Sequence, residues 1–299
     1  MKYDVAVIGC GIVGAAAAYE LSRYNCKVLV LEANNDVANG TTKANSAILH
    51  AGYDPAPHTL MAETNVRGVK LAKELCEKLD VEREEIGSLV LAFGKEDERH
   101  LDMLYRQGLE NGVPGVRLLT ADEVRAMEPN VSEQVTAALY APTAAIVSPW
   151  EFALALAETA VVNGCDLRLS APVTGIDRLE EGYLLHTPKG DFEARYVVNA
   201  AGLHCDKIHE MAGGTGFTVH GVRGEYYIMD KSQGHVVNHV IFQCPNEKGK
   251  GVLVSPTVHG NLIVGPSADA VDDVESVANT AFGLEEVRTA AARSVPDLN

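Results

Sequence analysis

At 299 residues, 46% hydrophobic and 22% charged, the chain has the composition of a soluble globular protein and enough length for one large or two ordinary domains. A formal net charge of −16 argues against general nucleic-acid binding and against anionic membrane surfaces, so an anionic ligand must be held by local Arg, Lys or His against the overall field. No apolar run is long enough to cross a bilayer, and the six scattered cysteines (Cys10, Cys26, Cys76, Cys165, Cys205, Cys244) contain no Cys-x-x-Cys pair, which reads as free thiols in the cytoplasm.

The first thirty residues carry the strongest pattern. Lys2 to Ile8 is a short β-branched apolar run, as expected of a parallel strand buried on both faces. Gly9-Cys10-Gly11-Ile12-Val13-Gly14 follows: Gly9 lets the chain turn out of the strand, Gly11 lets backbone approach a phosphate, and Gly14 lets the next helix sit close. Ile12 to Arg23 is that helix, whose free N–H groups and positive dipole end suit a pyrophosphate. Val28 to Leu31 is the next strand. Glu32 closes it eighteen residues after Gly14, placed to accept hydrogen bonds from ribose hydroxyls. A carboxylate there repels a 2′-phosphate and favours FAD or NAD over NADP. A signal peptide is the rival reading of the apolar start; Asp4, the glycines and Glu20 exclude it.

Further along, Leu60 to Leu79 reads as an amphipathic helix, Ser88 to Phe93 as a strand and Glu96 to Asn111 as a helix ended by Gly112. Thr120 to Glu123 forms a capping box before a short helix that Pro129 stops. Val135 to Tyr140 reads as a strand, and Ser148-Pro149-Trp150-Glu151 opens a helix reaching Asn163. Strands are expected at Asp166–Leu169, Val173–Leu179, Tyr183–Thr187, Asp191–Val198, Tyr226–Met229, Val236–Phe242, Val252–Val254 and Leu262–Val264, with a last helix from Leu284 to Arg293. The order mixes α/β stretches with mainly antiparallel ones. It predicts a discontinuous nucleotide domain, 1–86 with 145–215, and a second domain, 87–144 with 216–299, with a ligand cleft between them.

With these residues in view, the chain resembles the FAD-dependent D-amino-acid-oxidase-like superfamily, most of all its anaerobic-type glycerol-3-phosphate dehydrogenases and L-2-hydroxyglutarate oxidases. The resemblance rests on the Gly9–Gly14 turn, Thr41 to Tyr53, Gly87 to Ala92, Val197 to Leu203, Val222 to Tyr227 and Ser255 to Pro266. It implies a glutathione-reductase-like, Rossmann-like FAD domain with a mainly antiparallel α+β substrate domain. It also implies FAD held by Gly9, Gly11, Ile12, Val13, Gly14, Glu32 and Ala33, with Thr41, Thr42, Asn45 and Ser46 at the pyrophosphate and flavin edge. Val173 would reach adenine through its backbone, Ala200, Ala201 and Gly202 would complete the cleft, and His50 and Gly52 would lie beside the isoalloxazine. Relatives continue past the position of Asn299, so a C-terminally shortened chain is expected.

Oxidising a secondary alcohol at a flavin needs a hydride path, a base and a cation for the substrate's charge. His50 is the base candidate, against a packed histidine; a covalent link to the flavin is a further reading. Arg223 is the anion clamp, against an ion pair with Glu225. Tyr53, Tyr226 and His259 are further candidates, each against a packed ring or loop residue. No metal site is expected, since His204, Cys205 and His209 read as solvated helix residues. The expected activity is oxidation of a small anionic secondary alcohol, glycerol 3-phosphate first and L-2-hydroxyglutarate second, with electrons passing to a quinone, another protein or oxygen. An amine or amino-acid oxidase on the same scaffold, and a non-catalytic flavin-binding module, are the alternatives.

Overall fold

The computed structural model describes residues 2–245 and 251–298. The chain runs β1 (Lys2–Ile8), α1 (Ile12–Leu21), β2 (Val28–Leu31), a 3-10 turn at Thr41–Lys43 and β3 (Ile48–Leu49). It continues through α2 (Leu60–Lys78), β4 (Arg83–Glu84), β5 (Ser88–Ala92), α3 (Lys95–Glu110), β6 (Arg117–Thr120), α4 (Ala121–Met127), β7 (Ala137–Ala141) and β8 (Ala145–Val147). Then come α5 (Pro149–Val162), β9 (Asp166–Arg168), β10 (Gly175–Leu179), β11 (Gly182–Thr187), β12 (Gly190–Asn199) and α6 (Cys205–Met211). The last elements are β13 (Gly221–Arg223), β14 (Tyr227–Met229), β15 (Val240–Gln243), β16 (Leu253–Pro256), β17 (Leu262–Gly265), β18 (Asp269–Val271) and α7 (Ala281–Ser294).

Backbone contacts divide the chain into two compact units, Met1–Asn45 with Pro149–Gly221, and Ser46–Ser148 with Val222–Asn299. Residues 46–86, grouped with the nucleotide domain on sequence, cluster with the second unit here.

The first unit is built on a six-stranded sheet ordered β10-β11-β12-β1-β2-β9. From β12 to β9 the neighbours are parallel, while β10, β11 and β12 form an antiparallel meander. Every residue of β2 is buried, which is why Val28 to Leu31 reads as an unbroken apolar run. Helices α1 and α5 pack together, and Ala15 and Ala18 of the one and Ala153, Ala157 and Ala160 of the other are all buried. Small side chains let the two backbones approach closely.

The second unit carries a seven-stranded sheet, β14-β17-β16-β15-β5-β7-β6, antiparallel except for the β15–β5 pair. Both faces are covered, so alternate residues of one strand enter different cores. Leu89, Leu91, Ile241, Val254 and Leu262 face one core with Val287 and Ala291 of α7. Val90, Ala92, Phe242, Leu253 and Ile263 face the other with Leu101 and Leu104 of α3. Each fully buried Leu contributes about 2 kcal/mol by removal from water.

Two departures from the sequence reading have local causes. The strand expected from Val236 begins only at Val240 because the N–H groups of Asn238 and His239 donate to the carboxylate of Glu128, at 2.7–3.0 Å, instead of to a neighbouring strand. Strand β6 has no counterpart in the sequence reading. It is an edge strand with Leu119 its only buried residue, so it lacks the apolar alternation that marks a strand.

Candidate cofactor site

At the end of β1 the chain leaves the sheet through Gly9, whose φ of +96° suits glycine and whose added Cβ would sit 2.4 Å from the carbonyl oxygen of Ala200. A Cβ on Gly14 would lie 1.9 Å from the Gly9 carbonyl oxygen. Those two glycines are therefore required by the backbone crossing between turn, helix and the β12 exit. Gly11 differs, since a Cβ there would meet only the hydroxyl oxygen of Thr42, at 2.9 Å. Its freedom keeps open the space in front of α1, as a phosphate requires.

Helix α1 starts without a side-chain cap of its own and with no acid in its first turn. The Ile12 N–H donates instead to Thr42 Oγ1, 3.0 Å away and buried, which brings the 3-10 turn against the glycine turn. Asn45 donates from Nδ2 to the Thr42 and Thr41 carbonyls at 2.8 and 3.2 Å, fixing that turn. Val13 is 68% exposed at the open side of the helix. The first turn of α1 thus carries no acid of its own, and an anion fits it.

Glu32 ends β2 almost fully buried, 7% exposed. Its Oε2 accepts from the Cys10 N–H at 2.7 Å and its Oε1 from the Asn34 N–H at 2.9 Å. The neighbouring Cys10 thiol is pushed up to about 12 by burial and by the Glu32 charge, so it is a neutral packing group. Ala33 is exposed. Ala200 donates its N–H to the Ile8 carbonyl at 2.9 Å and Ala201 donates to Asn199 Oδ1 at 3.3 Å, while Gly202 adopts φ +56°. The first unit therefore brings together the glycine turn, Ile12, Thr42, Glu32 and the Ala200–Gly202 corner. Val173 packs with Ala201 against the core of this unit.

In the second unit, His50 is half-buried, its ring stacked on Phe242 at 5.4 Å between centroids, and its carbonyl accepts from Asn65 Nδ2 at 2.7 Å. Ser46 and Tyr226 share a hydrogen bond of 2.8 Å, and burial raises the Tyr226 phenol. Of the remaining candidates, Tyr53 needs correction. Tyr53 is a core ring, 5% exposed, with its phenol raised by burial, and it packs among Val90, Leu104 and Val116. Arg223 has Nη2 3.0 Å from Oε1 of Glu225, whose carboxylate is fully buried, and Nη1 donates to Ser276 Oγ at 3.4 Å. Two of its nitrogens are thus engaged inside the protein, while its buried Nε has no hydrogen-bond partner.

Sequence reasoning raised Glu225 only as an ion-pair partner for Arg223 and did not single out Glu128. Glu225 accepts from Thr280 N–H and Thr280 Oγ1 at 2.6 and 3.0 Å, tying the β13–β14 connection to the start of α7. Glu128 stands between Met127 and Pro129 and Glu225 between Gly224 and Tyr226, and no local signal marks either carboxylate as buried.

A family model described as FAD dependent oxidoreductase matches residues 4–299. The chain belongs to this family. It is 47% identical over 296 residues to a glycerol 3-phosphate dehydrogenase of Caloramator mitchellensis, covering 99% of this chain and 62% of that protein. The chain thus spans about three-fifths of that relative's length. It is 31% identical over 274 residues to an L-2-hydroxyglutarate dehydrogenase of Indibacter alkaliphilus, covering 90% of this chain and 68% of the other. The structure of an L-α-glycerophosphate oxidase from Mycoplasma pneumoniae, dithionite-reduced with FAD bound, superposes with a TM-score of 0.93 at 30% identity, covering 100% of this chain and 80% of that one. The family's cofactor fits this chain: a helix N-terminus with no acid in its first turn, a glycine with no Cβ in front of it and a buried carboxylate at the strand end stand together in one unit. Among the described residues, no helix is long and apolar enough to cross a membrane.

Proposed function

We propose that the protein oxidises glycerol 3-phosphate with FAD as the immediate electron acceptor. The 47% identity to a glycerol 3-phosphate dehydrogenase along nearly the whole chain carries this reading. Gly9, Gly11 and Gly14 with the N-terminus of α1 would hold the cofactor's diphosphate, with Thr42 and Asn45 beside it, and Glu32 would take the adenosine ribose. Bound FAD supplies a two-electron acceptor for the hydrogen on the carbinol carbon. His50 accepts the hydroxyl proton as that carbon is oxidised, its ring held by Phe242 and its backbone by Asn65. Four of the six cysteines are buried and all are free, which suits the cytoplasm.

The test is anaerobic mixing of the FAD-loaded protein with glycerol 3-phosphate, L-2-hydroxyglutarate and glycine in turn, while following the flavin absorbance. Bleaching by glycerol 3-phosphate alone is the expected result. Bleaching by L-2-hydroxyglutarate or glycine alone moves the substrate to that compound, and no bleaching by any of them removes the reading. His50→Asn should slow flavin reduction by about 100-fold or more while FAD binding is unchanged, read by stopped-flow absorbance.

A further inference from the structure

The carboxylate of Glu32 is not left to find its own orientation. A carboxylate offers about four acceptor positions, and here three N–H donors fill most of them: Cys10 N–H on Oε2 at 2.7 Å, and the Asn34 N–H and Nδ2 on Oε1 at 2.9 and 3.1 Å. Asn34 is itself anchored, because its carbonyl accepts from the Ser170 N–H at 2.7 Å just beyond β9. Glu32 is 93% buried by its neighbours' side, being 7% exposed, so its rotamer is set by these bonds. Both acceptor positions of Oε1 are taken by Asn34, and the vacancy left on the carboxylate belongs to Oε2, on the side of the glycine turn where Cys10 stands.

We propose that Asn34 is a positioning residue for nucleotide binding: by occupying Oε1 it aims Oε2 of Glu32 at a ribose hydroxyl and so sets the preference for an unmodified adenosine ribose. This inference rests on the reading that the glycine turn and Glu32 hold the ADP half of FAD. The chemistry recognised is a vicinal ribose diol next to a diphosphate. Asn34 acts through Glu32, and its contribution is therefore felt only by ligands that carry the hydroxyls.

The experiment measures binding of ADP and of 2′,3′-dideoxy-ADP to the flavin-free chain by titration calorimetry, in the wild type, Asn34→Ala and Asn34→Asp. Asn34→Ala should weaken ADP about tenfold, the loss of one hydrogen bond to a charged group. Asn34→Asp should weaken it further, because it sets a second negative charge against Glu32. Dideoxy-ADP should bind wild type and Asn34→Ala alike. Thermal melting of the variants checks that they fold. Unchanged ADP binding in Asn34→Ala overturns the inference, as does an equal loss for both probes, which marks a general loosening of the turn. A wild-type chain that binds neither ADP nor FAD overturns the cofactor reading and this inference together, whereas wild-type binding with an indifferent Asn34→Ala removes the inference alone.

Discussion

Gly11 and Gly14 stand three residues apart in one turn and should respond differently to substitution. A side chain at 14 meets the Gly9 carbonyl oxygen at 1.9 Å, a backbone atom that cannot swing aside, so Gly14→Ala should cost about 3 kcal/mol or more of stability, read by urea denaturation. A side chain at 11 meets only Thr42 Oγ1, at 2.9 Å, so Gly11→Val must displace the hydroxyl that caps the Ile12 N–H and should cost about 1–2 kcal/mol, less than Gly14→Ala, yet abolish FAD binding. A Gly11→Val protein that stays yellow would contradict the placement of the diphosphate. Glycine spacing made all three positions legible in the sequence; which of them serves the backbone and which serves the ligand required knowing what lies across from each Cβ.

At the scale of elements, two buried carboxylates govern where elements begin. Glu128 takes the N–H groups that would have extended β15, and Glu225 occupies the approach to α7, where an added Cβ on Gly283 would fall 2.6 Å from its carboxyl carbon. Glu225→Ala would leave Arg223, 20% exposed, without its carboxylate, and should destabilise by about 3–5 kcal/mol, seen as a lower urea midpoint. The β10–β11–β12 meander carries a titratable clasp: His186 Nε2 is 2.9 Å from Asp177 and its Nδ1 is 3.0 Å from Asp191. Hydrogen bonds to Asp177 and then Asp191 raise the imidazole above its ordinary value of 6.5. The folded value lies above the unfolded one, so the protonated form is favoured in the fold. The stabilisation is fully present below pH 6.5 and is lost as pH rises through the folded value. Amide exchange in β10 and β11 should accordingly quicken over that window, and His186→Gln should remove the dependence.

For the whole molecule, a net charge of −16 means that an anionic substrate approaches against the general field, so association should quicken with added salt as that field is screened. A ligand that binds only the folded chain stabilises it by mass action. FAD at a hundred times its Kd should add about 2.7 kcal/mol, visible as a melting temperature that climbs with FAD concentration. A melting temperature indifferent to FAD would count against the cofactor reading.

By itself the sequence determined the parts whose cause is local. The β1–turn–α1–β2 unit, the closing Glu32, the capping box at Thr120, with both its hydrogen bonds formed, and the apolar runs of the two-faced sheet all follow from residue spacing and side-chain type. Only the tertiary structure decided the parts whose cause is a distant partner. It formed the Arg223–Glu225 pair that the sequence had left as one of two readings, sent Tyr53 into the core, grouped residues 46–86 with the second unit and joined Asn34 to Glu32 through hydrogen-bond geometry. A charge or ring carries no sign of what will stand opposite it until the chain is folded, because that neighbour is supplied by packing and not by spacing along the sequence.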